Sequence, residues 1–216
     1  MKERFAWMLI FALLAGCAAL KPTQMDRERT KFFWDEPKGW ENYGFPFPLY
    51  LSNEVKHEGH EELRLMPGFF NHDSQEFWSY GFAWWLKDAR PVNLETLSDD
   101  LPKYYRGLCA VDGVKTLKLD SARYAARIKL DSPTPPSPLA NMPDYQAFRA
   151  EVDSYECLSK TAKGESIVLN FRIQTFTCSD PQRRVALFAI SPKPDDDPIW
   201  KILSNLTHSF SCVGKL

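Results

Sequence analysis

Hydrophobic and polar positions along the chain predict a mixture of strands and helices. Residues 76–86 (EFWSYGFAWWL) are mostly apolar on both alternate faces, which is typical of an inner strand covered on both sides. Residues 123–131 alternate between apolar and charged positions, which predicts a half-exposed antiparallel strand. Further strands are predicted at 183–191 and in a long hairpin of 145–157 and 165–178, with short strands at 63–66 and 115–119.

Residues 93–109 have the three-or-four-residue apolar spacing of an amphipathic helix, with Asn93 as its N-cap. Pro102 lies inside this segment, so it either kinks the helix or begins a second half that Asp99 or Asp100 caps.

A second helix is predicted at 198–210, with Asp197 as the cap and Pro198 in the first turn. The order of elements is therefore strand, helix, several strands and helix, without the repeated alternation of a parallel sheet. We expect one α+β domain, in which both helices pack against an antiparallel sheet of five to seven strands.

The amino terminus has the pattern of a segment that is removed during export. Residues 5–15 are eleven consecutive apolar residues, too few for a membrane-spanning helix of about 20 residues. With Lys2 and Arg4 before it, the run is typical of a secretory signal peptide. It ends in Leu14-Ala15-Gly16-Cys17, which resembles the lipobox of bacterial lipoproteins.

The resemblance implies cleavage before Cys17, a diacylglyceryl thioether on its sulfur, and an acyl chain such as palmitate on its new amino group. The absence of aspartate at Ala18 favours the outer membrane. We therefore expect a signal peptide at 1–16, a lipidated tether and arm at 17–50, and a globular domain at 51–216. The alternative is an ordinary signal peptide or short anchor in which Cys17 is incidental.

Removal of residues 1–16 leaves 25 basic and 27 acidic side chains, a net charge of −2. A near-neutral chain without a basic block gives no electrostatic reason to expect nucleic acid as a partner. The expected partners are the membrane, through the lipid anchor, and an envelope protein or a glycan.

Four cysteines remain besides Cys17, and in an exported chain they predict two disulfides rather than four buried thiols. In the predicted hairpin, Cys157 lies beside the turn and Cys178 at the far end, so these two are too far apart to pair. If the last helix runs back along strand 183–191, Cys212 returns close to Cys178. The predicted pairs are Cys178–Cys212 and Cys109–Cys157.

Two groups of residues are candidates for a functional site. Aromatic side chains crowd residues 32–50, a segment rich in Pro and Gly that predicts an irregular arm. Such rings can line a groove for a ligand, or the arm can simply pack over an edge strand. The candidate binding residues are Trp34, Trp40, Tyr43 and Phe45.

The second group is a set of weak candidate metal ligands: His57, His60 and Glu61. The histidines are three residues apart, not four as in the zincin motif, and Gly59 lies between them. The alternative for this segment is a solvated polar loop.

No motif identifies a reaction or a cofactor, and the chain has no nucleophile elbow and no dinucleotide fingerprint. We therefore favour a non-enzymatic binding or envelope-assembly module. A metal-dependent envelope hydrolase that uses the His57 and His60 region, and a carrier of a small ligand or lipid, are the alternatives.

Overall fold

The computed structural model describes residues 31–110, 117, 119–132, 136–159, 162–179 and 182–212. The predicted signal peptide, the lipobox with Cys17 and most of the strand predicted at 115–119 lie outside the described residues.

The described residues contain seven strands, which pair into one antiparallel sheet. This confirms the predicted α+β class. The strands are β1 (Glu41–Pro46), β2 (Gly59–Leu65), β3 (Tyr80–Leu86), β4 (Ala125–Leu130), β5 (Gln146–Tyr155), β6 (Ser166–Ser179) and β7 (Gln182–Ser191). Their order in the sheet is β1-β2-β3-β7-β6-β5-β4, so β3 is an inner strand, as its two apolar faces predict.

The two predicted helices are present as α1 (Leu94–Cys109) and α2 (Ile199–His208). The Asn93 side chain caps α1, and Thr96 accepts a hydrogen bond from the backbone N–H of Asn93 in return. The helix continues through Pro102 without a second cap. Asp99 and Asp100 form ion pairs with Lys103 and Arg90 instead. In the described part of the chain, no helix is long and apolar enough to cross a bilayer.

The helices lie on opposite faces of the sheet. Tyr104 of α1 stacks on Phe82 of β3, with ring centroids 5.3 Å apart, so the side of the sheet that carries Phe82 is called the α1 face. Leu206 of α2 packs with Ala83 and Trp85, which point to the opposite side, the α2 face. Burial on both faces explains why β3 is fully buried along its whole length.

The arm predicted to be irregular contains strand β1, which pairs with β2. The prediction was wrong here because the high content of Pro and Gly suggested a loop. Pro46 is the last residue of β1, and an edge strand tolerates proline because one side of it needs no partner.

Two predicted boundaries also shift. Strand β3 begins at Tyr80 rather than at residue 76, because residues 76–79 form a turn in which Trp78 has φ of 51°. Helix α2 begins at Ile199, so Pro198 is the N-cap residue. The Asp197 carboxylate lies one residue further out and accepts the backbone N–H of Ile199 at 2.9 Å.

The structure contains disulfides between Cys109 and Cys157 and between Cys178 and Cys212, the two pairs predicted from the hairpin length and the assumed direction of the last helix. The first joins the last residue of α1 to Cys157, two residues after the end of β5. The second joins β6 to the segment after α2, so each helix is covalently fixed to the sheet.

Candidate functional site

Strand β2 places alternating side chains on the two faces of the sheet. Glu61, Leu63 and Leu65 point to the α1 face, where Glu61 is opposite Trp84 of β3. His60, Glu62 and Arg64 point to the α2 face, and all three are buried. Strand β2 therefore places Glu61 on the α1 face and a separate group of polar side chains on the α2 face.

Glu61 places a carboxyl group in the core on the α1 face, where it is almost fully buried at 2 % exposure. The indole N–H of Trp84 donates to Oε2 of Glu61 at 2.7 Å, and the Tyr104 hydroxyl donates to Oε1 at 3.2 Å. Burial raises the pKa of Glu61 to about 8, and the two donated hydrogen bonds offset this only in part. At neutral pH the side chain is therefore mostly a neutral carboxylic acid.

A narrow pocket leads to this carboxyl group from the surface. Its wall is formed by β1, β2, residues 49–52 and the last turns of α1. The lining residues are Phe45, Leu49, Tyr50, Leu51, Ser52, Glu61, Tyr104 and Leu108. Tyr50 is 62 % exposed whereas Glu61 and Leu49 are buried, so the pocket runs inward from Tyr50 to Glu61. Its surface is mostly apolar apart from the carboxyl group and three hydroxyls.

Residues 49–52 are held against α1 by specific contacts. The Ser52 hydroxyl donates to the backbone carbonyl of Lys103 at 2.9 Å. At Gly107 a Cβ atom would lie only 2.2 Å from the carbonyl oxygen of Leu51, so α1 can approach this closely only with glycine at that position. The outer wall of the pocket is therefore packed closely against α1.

The polar group on the α2 face is a buried ionic network. His60 Nε2 lies 2.6 Å from Oε1 of Glu62, and Arg64 donates to Oε2 of Glu62 at 2.9 Å. The Arg64 guanidinium also lies 4.9 Å from the ring centroid of Trp34 and donates to the backbone carbonyl of Asp35. The buried Glu62 carboxylate is thus matched by a cation.

His57 lies just before β2 and is buried between two carboxylates. Its Nδ1 is 3.2 Å from Oδ2 of Asp88, and its Nε2 is 3.3 Å from Oδ2 of Asp100. Arg90 also pairs with Asp100 at 2.9 Å. This cluster joins the start of β2 to the first turns of α1.

The structure does not bring the candidate metal ligands His57, His60 and Glu61 together. His60 and Glu61 are consecutive residues of a strand, so they point to opposite faces, and His57 is held by Asp88 and Asp100. Among the described residues, no group of three or more His, Cys, Asp or Glu side chains has an arrangement that could hold a metal ion. The expectation of a solvated loop was also wrong, because all three side chains are buried.

Gly59, between the two histidines, has φ of 139°, and a Cβ atom there would lie 2.2 Å from the carbonyl oxygen of Trp85. Glycine is therefore required by the close approach of β2 to β3, and the spacing of the histidines does not reflect a helix.

The four candidate binding residues of the arm do not share one surface. Trp34 is buried on the α2 face at 3 % exposure, and its indole N–H donates to the carbonyl of Leu206 at 2.8 Å. Trp40 is half-buried and packs on the same side. Tyr43 and Phe45 point to the α1 face, with ring centroids 6.4 Å apart.

Of these four residues, Phe45 is the one that lines the pocket. The Tyr43 hydroxyl donates to Glu41 at 2.5 Å, and burial is the main cause that raises its pKa. Trp34 and Trp40 hold the arm to the sheet, in agreement with the alternative that the arm covers it.

The sequence suggested Glu61 only as a weak candidate metal ligand and Trp84 only as part of the inner strand at 76–86, so their shared role was missed. A signal for Glu61 was present, since Glu61, Leu63 and Leu65 alternate as one face of a strand that extends to Gly59. No comparable signal pointed to Tyr104, because its contact with Glu61 joins residues 43 positions apart.

Comparison with known proteins gives no relative for this chain: no protein-family model, no curated protein and no solved structure matches it.

Proposed function

We propose that this chain is an exported lipoprotein, anchored to the outer membrane through Cys17 and facing the periplasm. We further propose that its globular domain is a binding module for a small ligand with an apolar part. The observation that carries the binding proposal is the pocket that runs from Tyr50 to the buried carboxyl group of Glu61.

Support for export comes from the lipobox-like segment that ends in Cys17 and from the two disulfides, which form and persist in oxidising compartments. Two or three acyl chains anchor a protein stably, because each buried CH₂ contributes about 0.8 kcal/mol.

Anchoring is tested by mass spectrometry of the mature amino terminus and by membrane fractionation. We expect Cys17 to carry the thioether-linked lipid and Cys17→Ser to release the protein from the membrane. Ala18→Asp should retain the protein at the inner membrane. An unmodified thiol at position 17 of the mature protein would contradict the proposal.

Support for ligand binding comes from the composition of the pocket wall. Apolar side chains surround a narrow space of about 30 Å³, and a few polar groups lie at its inner end. This space has room for the head of a ligand, so the apolar part of the ligand lies along the mouth of the pocket. Phe45 supplies a rigid aromatic surface, and Leu49 and Leu108 supply apolar area.

Binding is tested by titration calorimetry of the purified mature domain with six-carbon probes, namely 1-hexanol and n-hexylammonium. Leu108→Trp should fill the pocket and remove binding of both probes. Leu94→Trp is the matched control, because Leu94 lies on the same helix, is 42 % exposed and does not line the pocket. If neither probe binds to the wild-type domain, or if Leu108→Trp leaves binding unchanged, the binding proposal fails.

A further inference from the structure

Among the buried carboxyl groups of the described residues, Glu61 differs in its partners. Its hydrogen bonds come only from two neutral side chains, those of Trp84 and Tyr104. Glu62 is paired with Arg64, and Asp100 is paired with Arg90. Glu156 accepts the backbone N–H groups of Leu158 and Ser159. Among the described residues, no Lys, Arg or His forms an ion pair with Glu61.

The groups that surround Glu61 do not supply the missing positive charge. Tyr104 and Tyr105 of α1 and Tyr80 of β3 have pKa values raised by burial, so their hydroxyls are neutral at pH 7. Glu62 of its own strand adds negative charge, which opposes ionisation of Glu61. The pocket residues from β1 and residues 49–52 carry no charged side chain. A negative charge on Glu61 is therefore uncompensated within the site.

Most other polar groups of the pocket already have partners within the protein. The Ser52 hydroxyl donates to the Lys103 carbonyl, and the Tyr104 hydroxyl donates to Glu61. The Glu61 carboxyl group accepts one hydrogen bond at each oxygen, from Trp84 and Tyr104, and each oxygen can accept another from a ligand at the inner end. An anionic ligand is disfavoured there because it would repel the ionised form of Glu61, whereas a cationic ligand supplies the counter-charge that this form lacks.

We infer that the ligand of this pocket is an alkylammonium, seated with its N–H groups against the Glu61 carboxylate and its alkyl chain along Phe45, Leu49 and Leu108. This inference rests on the proposed function, since it names the chemical class of the ligand for the same pocket.

Binding of this cation is coupled to release of a proton. The ammonium group binds the carboxylate form of Glu61, so the proton that Glu61 carries at neutral pH leaves for the solvent as the ion pair forms. An alkylamine has a pKa close to that of lysine, about 10.4, and stays protonated up to pH 9. The affinity for the ammonium should therefore rise as pH increases through the pKa of Glu61.

The experiment compares three ligands of equal chain length, n-hexylammonium, 1-hexanol and hexanoate, on wild-type domain and on Glu61→Gln, with circular dichroism to check folding. We expect n-hexylammonium to bind about tenfold more tightly at pH 9 than at pH 7, because ionised Glu61 increases about tenfold over that range. Calorimetry in two buffers of different ionisation enthalpy should show release of nearly one proton per ligand at pH 7. Glu61→Gln should abolish the advantage of the ammonium over hexanol.

The outcomes separate the two proposals. If hexanol and n-hexylammonium bind equally at all pH values, or if hexanoate binds best, the ammonium inference is overturned and the pocket remains a binding site. If none of the three binds to the wild-type domain, the binding function itself is overturned. If Glu61→Gln does not fold, the proton release and the pH dependence of the wild-type domain still decide the inference.

Discussion

The indole N–H of Trp84 donates a hydrogen bond of 2.7 Å to Oε2 of Glu61 across the paired strands β2 and β3. The two residues are directly opposite in the strand register, and both are buried. A carboxyl group in the core must be hydrogen-bonded to be tolerated, and Trp84 supplies one of its two donors. This contact places an acid at the inner end of an otherwise apolar pocket.

The raised pKa of Glu61 makes the stability of the fold depend on pH. Its pKa is about 8 in the folded state and about 4.5 in an unfolded chain. Below pH 4.5 both states carry the proton. As pH rises from about 4.5 to 8 the unfolded state loses it first, so the free energy of unfolding falls by about 1.4 kcal/mol per pH unit.

Urea unfolding of wild-type protein and Glu61→Gln between pH 5 and pH 8.5 checks this prediction. The amide that replaces the carboxyl group stays neutral, so the variant should gain stability relative to wild type as pH rises, and the difference should level off above pH 8. Glu58→Gln, which changes an exposed carboxylate nearby, is the control. A difference between wild type and Glu61→Gln that is constant across this range would contradict the raised pKa.

Tyr104→Phe removes one of the two donors to Glu61 while keeping the ring that stacks on Phe82. Because this hydrogen bond lowers the pKa of Glu61, we expect the pKa to rise above about 8 in the variant. Carbon NMR of the Glu61 side-chain carboxyl group measures it directly. Tyr105→Phe is the matched control, since the Tyr105 hydroxyl bonds Tyr80 instead. An equal effect of both variants would argue against a specific role for Tyr104.

Gly107→Ala should destabilise the protein although it lies in a helix. In an exposed helix this change stabilises by up to about 1 kcal/mol, but here the new methyl group meets the Leu51 carbonyl and Ser52. We expect a loss of about 1–3 kcal/mol in the free energy of unfolding and weaker binding of 1-hexanol, because residues 49–52 form the pocket wall. Thermal unfolding with calorimetric titration checks both effects, and a gain in stability would refute the close contact.

The two disulfides should contribute similarly to stability. They close segments of similar length, with sequence separations of 48 residues for Cys109–Cys157 and 34 for Cys178–Cys212. Loop-closure entropy gives about 4 kcal/mol for each as an upper value. Replacing either pair by alanine should lower the free energy of unfolding by about 2–4 kcal/mol. Peptide mapping without reductant should recover these two pairs, and a Cys157–Cys178 peptide would contradict the strand register.

The sequence alone determined most of the fold. Two-residue alternation marked the strands, and apolar spacing marked both helices. These are local patterns, because the side-chain direction of a strand or helix residue follows from its own backbone. The length of the β5–β6 hairpin excluded a Cys157–Cys178 disulfide, and an assumed direction of the last helix selected between the two remaining pairings. The strand at 41–46 was missed because its pairing with β2 outweighs a composition that favours a loop.

The tertiary structure alone decided the site. Glu61, Trp84 and Tyr104 come from β2, β3 and α1, and no local pattern states that these elements meet at one carboxyl group. The strand conformation of β2 also separated the His60 and Glu61 side chains, since neighbouring strand residues face opposite sides of the sheet. Burial then gave Glu61 its raised pKa, a property of the surrounding core rather than of the residue type.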